Sequence, residues 1–176
     1  MSTKRKLNIG GIQAVPGWEI FNITEASYVD HIGDARDLSR FADDTFSAIY
    51  ASHVLEHFDY KDEMLKVLKE WKRVLHPGGK LYLSTPDLDI LATLFLLKDK
   101  LSLQERFQVM RIIFGGHMDK HDYHFTGLNQ EILELFLKEA EYLDIKRVEN
   151  FGIFQDTSTM LFKGIPISLN LIATKP

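Results

Sequence analysis

Two histidine-bearing segments contain the residue types that acid–base chemistry needs. His53, Glu56 and His57 directly follow a stretch of strand-forming residues, and the segment from His117 to His124 holds three of the seven histidines. Imidazole gains and loses a proton near neutral pH, so His57 and His124 are candidates for a general base, with Asp122 as the partner of His124. A structural hydrogen bond that closes the loop is an equally good interpretation of His124.

The spacing of His117, His121 and His124 also raises the question of a metal site. Intervals of four and three would place the three side chains on one face of a helix. However, Gly115-Gly116 precedes them and the segment lacks apolar periodicity, which argues against a helix. The sequence has no cysteine, so thiolate-bound zinc and iron–sulfur sites are excluded. We therefore expect no metal site and interpret the segment as a loop beside a substrate.

Glycines and polar residues at the ends of the predicted strands suit a nucleoside. In an open α/β sheet the ligand lies beyond the carboxyl ends of the strands. Gly10 and Gly11 would allow close approach of the backbone. Asn22 can bind ribose hydroxyls, and Asp34 can accept a hydrogen bond from an exocyclic amine. The alternative for Asp34 is a turn within its own loop.

Taken in order, four segments resemble the class I S-adenosylmethionine-dependent methyltransferases. They are Leu7-Asn8-Ile9-Gly10-Gly11, Gly33-Asp34-Ala35-Arg36-Asp37-Leu38, residues 41–57, and Val74-Leu75-His76-Pro77-Gly78-Gly79-Lys80-Leu81. The last segment is the most specific. The chain is similar in particular to a small subgroup with a shortened glycine loop, through Pro16-Gly17-Trp18 and the Asp-x-His-x-x-Gly element of residues 122–127.

The resemblance implies a function, a cofactor and a set of site residues. It implies that S-adenosylmethionine donates a methyl group to an oxygen or nitrogen of a small or carbohydrate-like acceptor. The cofactor-binding positions carried over are Asn8, Gly10, Gly11, Asn22, Asp34, Ala35, Ser52 and His53. The catalytic positions are His124, His57 and Asp122.

Three departures from the family pattern leave a second interpretation open. Ile12 stands where a second glycine is expected and could crowd the methionine moiety. Asn22 replaces an acidic ribose ligand and lacks its charge-assisted hydrogen bond. Too few residues separate the first two strands for a helix, so no helix N-terminus would face the methionine carboxylate. The alternative is a catalytically degenerate relative that serves as a binding or regulatory protein.

Alternating strand-like and helix-like segments predict an α/β fold. We expect a Rossmann-like, mostly parallel sheet with helices on both faces, reduced at the first-strand edge and ending in an antiparallel strand. The clearest helix follows Asp59, which we expect to cap it, and the segment His76-Pro77-Gly78-Gly79 should turn the chain into the next strand. Capping residues predict helices that begin at Ser102 and Asn129. A helix over 88–97 and strands over 6–9, 18–23, 29–32, 46–52, 80–85, 145–151 and 167–174 complete the prediction.

Length and composition limit the remaining possibilities. A chain of 176 residues with 45% hydrophobic residues fits a single domain, residues 1–176. The formal charge of −4 argues against nucleic acid or an anionic membrane surface as a partner. The apolar runs are too short to cross a membrane. Without cysteines or a signal segment, we expect a reducing, cytoplasmic setting.

Overall fold

The computed structural model describes residues 5–176, in which four strands precede the first α-helix and three helices follow the fifth strand. The strands are β1 (Arg5–Ile9), β2 (Glu19–Asn22), β3 (His31–Ile32), β4 (Phe46–Ser52), β5 (Leu75–Pro86), β6 (Leu143–Val148), β7 (Leu161–Phe162), β8 (Ile165–Pro166) and β9 (Ser168–Thr174). The helices are α1 (Met64–Val74), α2 (Leu88–Leu96), α3 (Leu103–Phe114) and α4 (Gln130–Glu139), with 3₁₀ turns at Leu55–His57 and Thr157–Thr159.

A seven-stranded sheet with the order β3-β2-β1-β4-β5-β9-β6 forms the centre of the molecule. Strands β1 to β5 pair in parallel, and β9 runs antiparallel to both β5 and β6. The predicted Rossmann-like, mostly parallel sheet with an antiparallel last strand is therefore confirmed. A small hairpin of β7 and β8 lies in the connection before β9 and was not predicted from the sequence.

The two faces of the central strands are covered differently. Ile49 of β4 belongs to the core cluster that includes Leu68 of α1 and Leu133 of α4. Because neighbouring strand residues point to opposite faces, Tyr50 points the other way, where its ring packs 6.1 Å from that of Trp18 and 4.5 Å from that of Phe154, measured between centroids. Aromatic side chains from loops thus pack on the face opposite α1.

The connection from β1 to β2 is a loop without a helix, as expected from its length. It contains Ile12, whose side chain is 69% exposed. Within the described residues 5–176, no helix is long and apolar enough to cross a membrane.

Two local predictions differ from the structure, whereas two helix caps are confirmed. The segment His76 to Gly79 lies inside β5, which begins at Leu75, because Leu75 already pairs with Phe46 of β4. The register then shifts, and regular pairing resumes at Lys80 with Ala48. Asp59 does not cap α1. Its carboxylate accepts from the amide of Lys61, whereas the helix begins at Met64 and its N-cap position is occupied by Glu63. Ser102 and Asn129 cap α3 and α4 through their side chains, as predicted.

Candidate functional site

A cleft of about 690 Å³ lies along the carboxyl ends of the parallel strands. Its lining residues come from the ends of β1, β2 and β4, the loop after β3, the start of α1 and the segment 120–125. Strands β3, β2, β1 and β4 are neighbours in this order. The groups that follow them therefore form a row, which suits an elongated ligand.

Glycines keep the floor of the cleft open. Gly10 has a φ of +75°, and a Cβ atom there would lie 2.5 Å from the side chain of Val54. Its amide donates a hydrogen bond of 2.8 Å to the carbonyl of Phe21. A Cβ on Gly33 would lie 2.6 Å from the ring of Phe21. A side chain at either position would therefore clash with a residue that lines the cleft.

Asn22 lines the cleft at the end of β2 and connects two loops. Its Nδ2 donates to the carbonyl of Gly11 at 3.0 Å, and its Oδ1 accepts from the amide of Thr24 at 2.9 Å. The side chain is therefore held by the backbone on both sides. Ile12, which is expected to crowd the methionine moiety, is not among the residues that line the cleft.

Asp34 lines the cleft beyond β3 and is paired with Arg36. Its Oδ2 accepts from Nη2 of Arg36 at 2.6 Å, and its Oδ1 accepts from the amide of Arg36 at 2.9 Å. These hydrogen bonds to Arg36 hold the pKa of the Asp34 carboxyl below its ordinary value. Arg36 also donates to Glu63 at 2.7 Å. The carboxylate is thus ionised and fixed in orientation, and Ala35 lies beside it in the lining.

His53 lines the cleft where β4 passes into the 3₁₀ turn, and Glu56 is buried within that turn. His53 adopts a left-handed φ of +54°, and its Nε2 lies 3.0 Å from Oγ of Ser168. Burial lowers the pKa of His53 to about 4. Glu56 is 1% exposed, and among the described residues neither carboxyl oxygen has a hydrogen-bond partner. Burial raises the pKa of Glu56 to about 8.

His57, in the same 3₁₀ turn, packs edge to face against His124, with ring centroids 4.8 Å apart. Nδ1 of His57 lies 3.0 Å from the carbonyl of Tyr123, and Nδ1 of His124 lies 3.3 Å from the carbonyl of Ile113. Burial lowers the pKa of both, that of His124 to about 4. Both rings are neutral at pH 7, donate through Nδ1 and keep an unprotonated Nε2. His57 lines the cleft, and His124 lies behind it.

Five residues predicted from the sequence lie outside the lining, namely Asn8, Gly11, Ser52, Asp122 and His124. Asn8 is buried beneath Gly11, where a Cβ atom would lie 2.5 Å from Nδ2 of Asn8. Ser52 bonds to Thr157 at 2.8 Å. The carboxylate of Asp122 accepts from the amide of Met118 at 3.0 Å. In the part of the chain that the structure describes, no hydrogen bond joins Asp122 to His124.

Several lining residues were missed by sequence reasoning, namely Phe21, Arg36, Phe58, Asp59, Asp62, Glu63, Lys120, His121, Tyr123 and Phe125. The loop that contains Tyr123 reaches the cleft because the amides of Phe125 and Thr126 both donate to the carbonyl of Glu56. The histidine-rich sequence of this loop was a usable signal for its position. The sequence did not indicate the role of Arg36, because Arg36 connects Asp34 with Glu63, which is 27 residues away in the chain.

Comparisons with known proteins agree with this architecture. Residues 21–83, from β2 into β5, match the family model described as a methyltransferase domain. No curated protein matches the chain at a significant level. The matched part begins in β2 and ends in β5.

Solved structures show the same fold. A SAM-dependent methyltransferase from Archaeoglobus fulgidus is 17% identical, with a TM-score of 0.61 over 99% of this chain and 87% of that one. A possible histamine N-methyltransferase from Thermotoga maritima is 18% identical, with a TM-score of 0.63 over 98% and 82%. The CurJ carbon methyltransferase is 16% identical, with a TM-score of 0.59 over 99% and 50%, so this chain spans half of its length. The fold is that of the SAM-dependent methyltransferases.

Proposed function

We propose that the chain is an S-adenosylmethionine-dependent methyltransferase that binds its cofactor in the cleft and methylates an oxygen or nitrogen of a small or carbohydrate-like acceptor. The observation that carries this proposal is the row of strand ends along the cleft. Asp34, Asn22, Gly10 and His53 follow β3, β2, β1 and β4, in the order in which these strands lie side by side. An adenine base linked through ribose to a methionine chain matches this order.

Asp34 is the proposed acceptor for the exocyclic amine of adenine. Three N–H groups of Arg36 donate to the Asp34 carboxylate, and Nε is shared between the two oxygens. A carboxylate has about four acceptor sites, so one further donor can be accepted. Asn22 and Gly10 then lie beside the ribose and the methionine chain, and the sulfonium lies towards His53. The carboxylates of Asp34, Asp59, Asp62 and Glu63 along the cleft favour a cationic cofactor electrostatically.

The acceptor lies beside His57, at the turn that follows β4. The sulfonium is already activated, so the chain mainly has to align the acceptor atom, the methyl carbon and the sulfur and to exclude water. In the transfer, the electron pair of the S–CH₃ bond would stay on sulfur, while the acceptor atom would form the new bond to carbon and lose a proton. This proton would pass to a base in the cleft, for which the neutral His57 and His124 are the candidates. General-base assistance contributes about 10²- to 10⁴-fold in rate.

A binding or regulatory protein without catalysis is the second candidate. The observation that favours it is the helix-free connection between β1 and β2, because no helix N-terminus is then available for the methionine carboxylate. Both Nδ2 and Oδ1 of Asn22 also form hydrogen bonds to the backbone. Direct measurement of cofactor binding separates the two candidates.

Calorimetric titration with S-adenosylmethionine and S-adenosylhomocysteine tests the proposal. We expect dissociation constants of about 10 μM to 1 mM, or roughly 7 to 4 kcal/mol of binding free energy. Asp34→Ala should weaken binding by about 1.5 to 3 kcal/mol, because it removes a charged hydrogen-bond acceptor.

Asp37→Ala is the matched control, since the Asp37 carboxylate bonds only to its neighbour Ser39 in the same loop and does not line the cleft. Its cofactor affinity should equal that of the wild type. No heat at millimolar ligand would favour the non-catalytic candidate. Equal affinities of the wild type and the Asp34 variant would show that adenine is bound elsewhere.

A further inference from the structure

Three metal-ligating side chains meet at and behind the His57 side of the cleft. Glu56, His57 and His124 each offer one ligand atom, and these atoms all lie within 4.8 Å of one another. They come from separate parts of the chain, the turn after β4 and the loop after α3. A tetrahedral ion with bonds of about 2.1 Å holds its ligands about 3.4 Å apart. The cluster therefore has to contract by roughly an ångström to enclose an ion.

Both histidines are oriented as metal ligands usually are. Each directs Nδ1 to a backbone carbonyl, that of Tyr123 for His57 and that of Ile113 for His124. Such a bond fixes the tautomer and leaves the lone pair of Nε2 free for a cation. The rings are edge to face, and one ring nitrogen of each histidine lies within 4.8 Å of the other.

Glu56 supplies the independent observation that points to a ligand. Its carboxyl group is buried, and neither oxygen has a hydrogen-bond partner among the described residues. The nearest basic atom is Nδ1 of His53, at 3.6 Å, which exceeds a hydrogen-bond distance. Leaving a buried carboxyl without a partner is costly. A cation bound beside it would remove that cost.

We infer that Glu56, His57 and His124 form a binding site for a divalent transition-metal ion. Two imidazole nitrogens and one carboxylate oxygen suit ions such as Zn²⁺, Co²⁺ or Fe²⁺, whereas Mg²⁺ and Ca²⁺ prefer oxygen ligands throughout. The sequence did not predict this site, because the histidines of the loop were compared with one another and not with Glu56.

Three protein ligands leave at least one coordination position for another molecule. His57 lines the cleft, so a bound ion would lie near the proposed acceptor. An acceptor hydroxyl that coordinated this ion would become more acidic and would release its proton to solvent through the cleft. This role rests on the proposed function. With Nε2 of both histidines bound to the ion, the ion and not a histidine would activate the acceptor. Metal binding itself does not depend on methyl transfer.

Titration of chelator-treated, desalted protein with Co²⁺ tests the inference, with the visible absorption of the ion as the signal and Zn²⁺ competition as confirmation. We expect one ion per chain, and we expect Zn²⁺ to raise the unfolding temperature. Glu56→Gln and His124→Ala should each weaken binding at least about tenfold, since even indirect support of a metal ligand is worth that much. Two variants are used so that a folding defect in one leaves the test intact, and circular dichroism checks the fold of each.

His121→Ala is the matched control, because His121 lines the same cleft but lies outside the cluster. Its Co²⁺ affinity should equal that of the wild type. Absence of binding by the wild type at 1 mM ion would overturn the inference, as would equal affinities of the wild type and a folded cluster variant. S-adenosylhomocysteine binding is measured on the same samples. Cofactor binding without metal binding rejects only the metal site, and metal binding without cofactor binding rejects only the proposed methyltransferase function.

Discussion

The amide of Asn22 joins the glycine loop to the loop after β2. Its Nδ2 bonds to the carbonyl of Gly11 and its Oδ1 to the amide of Thr24. An amide is the side chain that can serve a carbonyl and an N–H group at the same time. The neutral residue at the end of β2 is therefore suited to its local contacts as well as to the proposed ribose.

We predict that Asn22→Asp weakens S-adenosylhomocysteine binding by about 1 to 2 kcal/mol. Sequence reasoning alone predicts a gain on the order of 1 kcal/mol, from a charged hydrogen bond to ribose. In the structure, however, the substitution removes the donor to Gly11 and places a carboxylate against that carbonyl, which costs more than a neutral hydrogen bond is worth.

Calorimetry measures this effect, and Asn150→Asp provides the same change of charge at an exposed position. The Asn150 variant should bind like the wild type. Tighter binding by the Asn22 variant would mean that the ribose contact outweighs the contact with the loop.

At the level of elements, three strands at one edge of the sheet are joined by a single carboxylate. Glu19 of β2 accepts from Nε and Nη2 of Arg5 in β1, both at 2.7 Å, and lies 2.7 Å from Nε2 of His31 in β3. The bidentate contact with Arg5 lowers the pKa of Glu19 to about 2. Because no helix lies between β1 and β2, this contact is one of the few side-chain links across the edge.

We predict that Glu19→Gln destabilises the protein at pH 7 by about 1 kcal/mol, a value discounted for the partial exposure of the pair. A carboxyl with a lowered pKa in the folded state stabilises it above the ordinary value of about 4.5. This contribution is lost as the pH falls from about 4.5 towards 2. The difference between wild type and variant should therefore shrink over that range.

Urea unfolding at pH 7, 5 and 3 provides the measurement. Glu25→Gln removes an exposed carboxyl from the neighbouring loop and should change stability little at any of these values. A deficit of the Glu19 variant that stays constant down to pH 3 would contradict the assignment of the effect to its charge.

Elements that depend on local sequence were predicted well. Ser102 and Asn129 cap their helices because the capping hydrogen bond reaches only three residues along the chain. The start of β5 at Leu75 could not be predicted in the same way. It depends on pairing with Phe46, and the Pro-Gly-Gly sequence that follows has the local features of a turn.

The candidate site was predictable to the extent that it depends on topology. Gly10, Asn22 and Asp34 follow successive parallel strands, and the carboxyl ends of such strands meet at one edge. The burial of Glu56 and the pairing of Asp34 with Arg36 arise from distant packing. Sequence periodicity does not predict such packing. The proximity of Glu56 to His57 and His124 could therefore be recognised only from the position of the loop after α3.

At the scale of the whole molecule, aromatic side chains from loops cover one face of the central strands, and helices cover the other. Trp18 lies 6.1 Å from Tyr50, 6.5 Å from Tyr82 and 5.3 Å from Phe154, measured between ring centroids. Tyr50 also donates its hydroxyl hydrogen to Asp156 at 2.8 Å. The segment that precedes β9 is thereby fastened to the central strand.

We predict that Trp18→Ala lowers the free energy of unfolding by about 2 to 4 kcal/mol, the range for a large aromatic side chain that is not completely buried. The substitution removes the ring that links three others above β4 and β5. Urea denaturation at neutral pH measures the loss. Tyr60→Ala truncates an aromatic side chain that is 59% exposed and should cost far less, so equal losses for the two variants would contradict this role of Trp18.

The spacing of the strands has a consequence for the scale of the cleft. Neighbouring strands of a sheet lie about 4.8 Å apart, so three intervals place the end of β3 about 14 Å from the end of β4. Backbone hydrogen bonds fix this separation, and side-chain substitutions within the cleft leave it unchanged. Mutation can therefore alter how strongly each part of a ligand is held, while the distance between the Asp34 end and the Glu56 end stays the same. Ligands that reach both ends are selected by their length before any side chain acts on them.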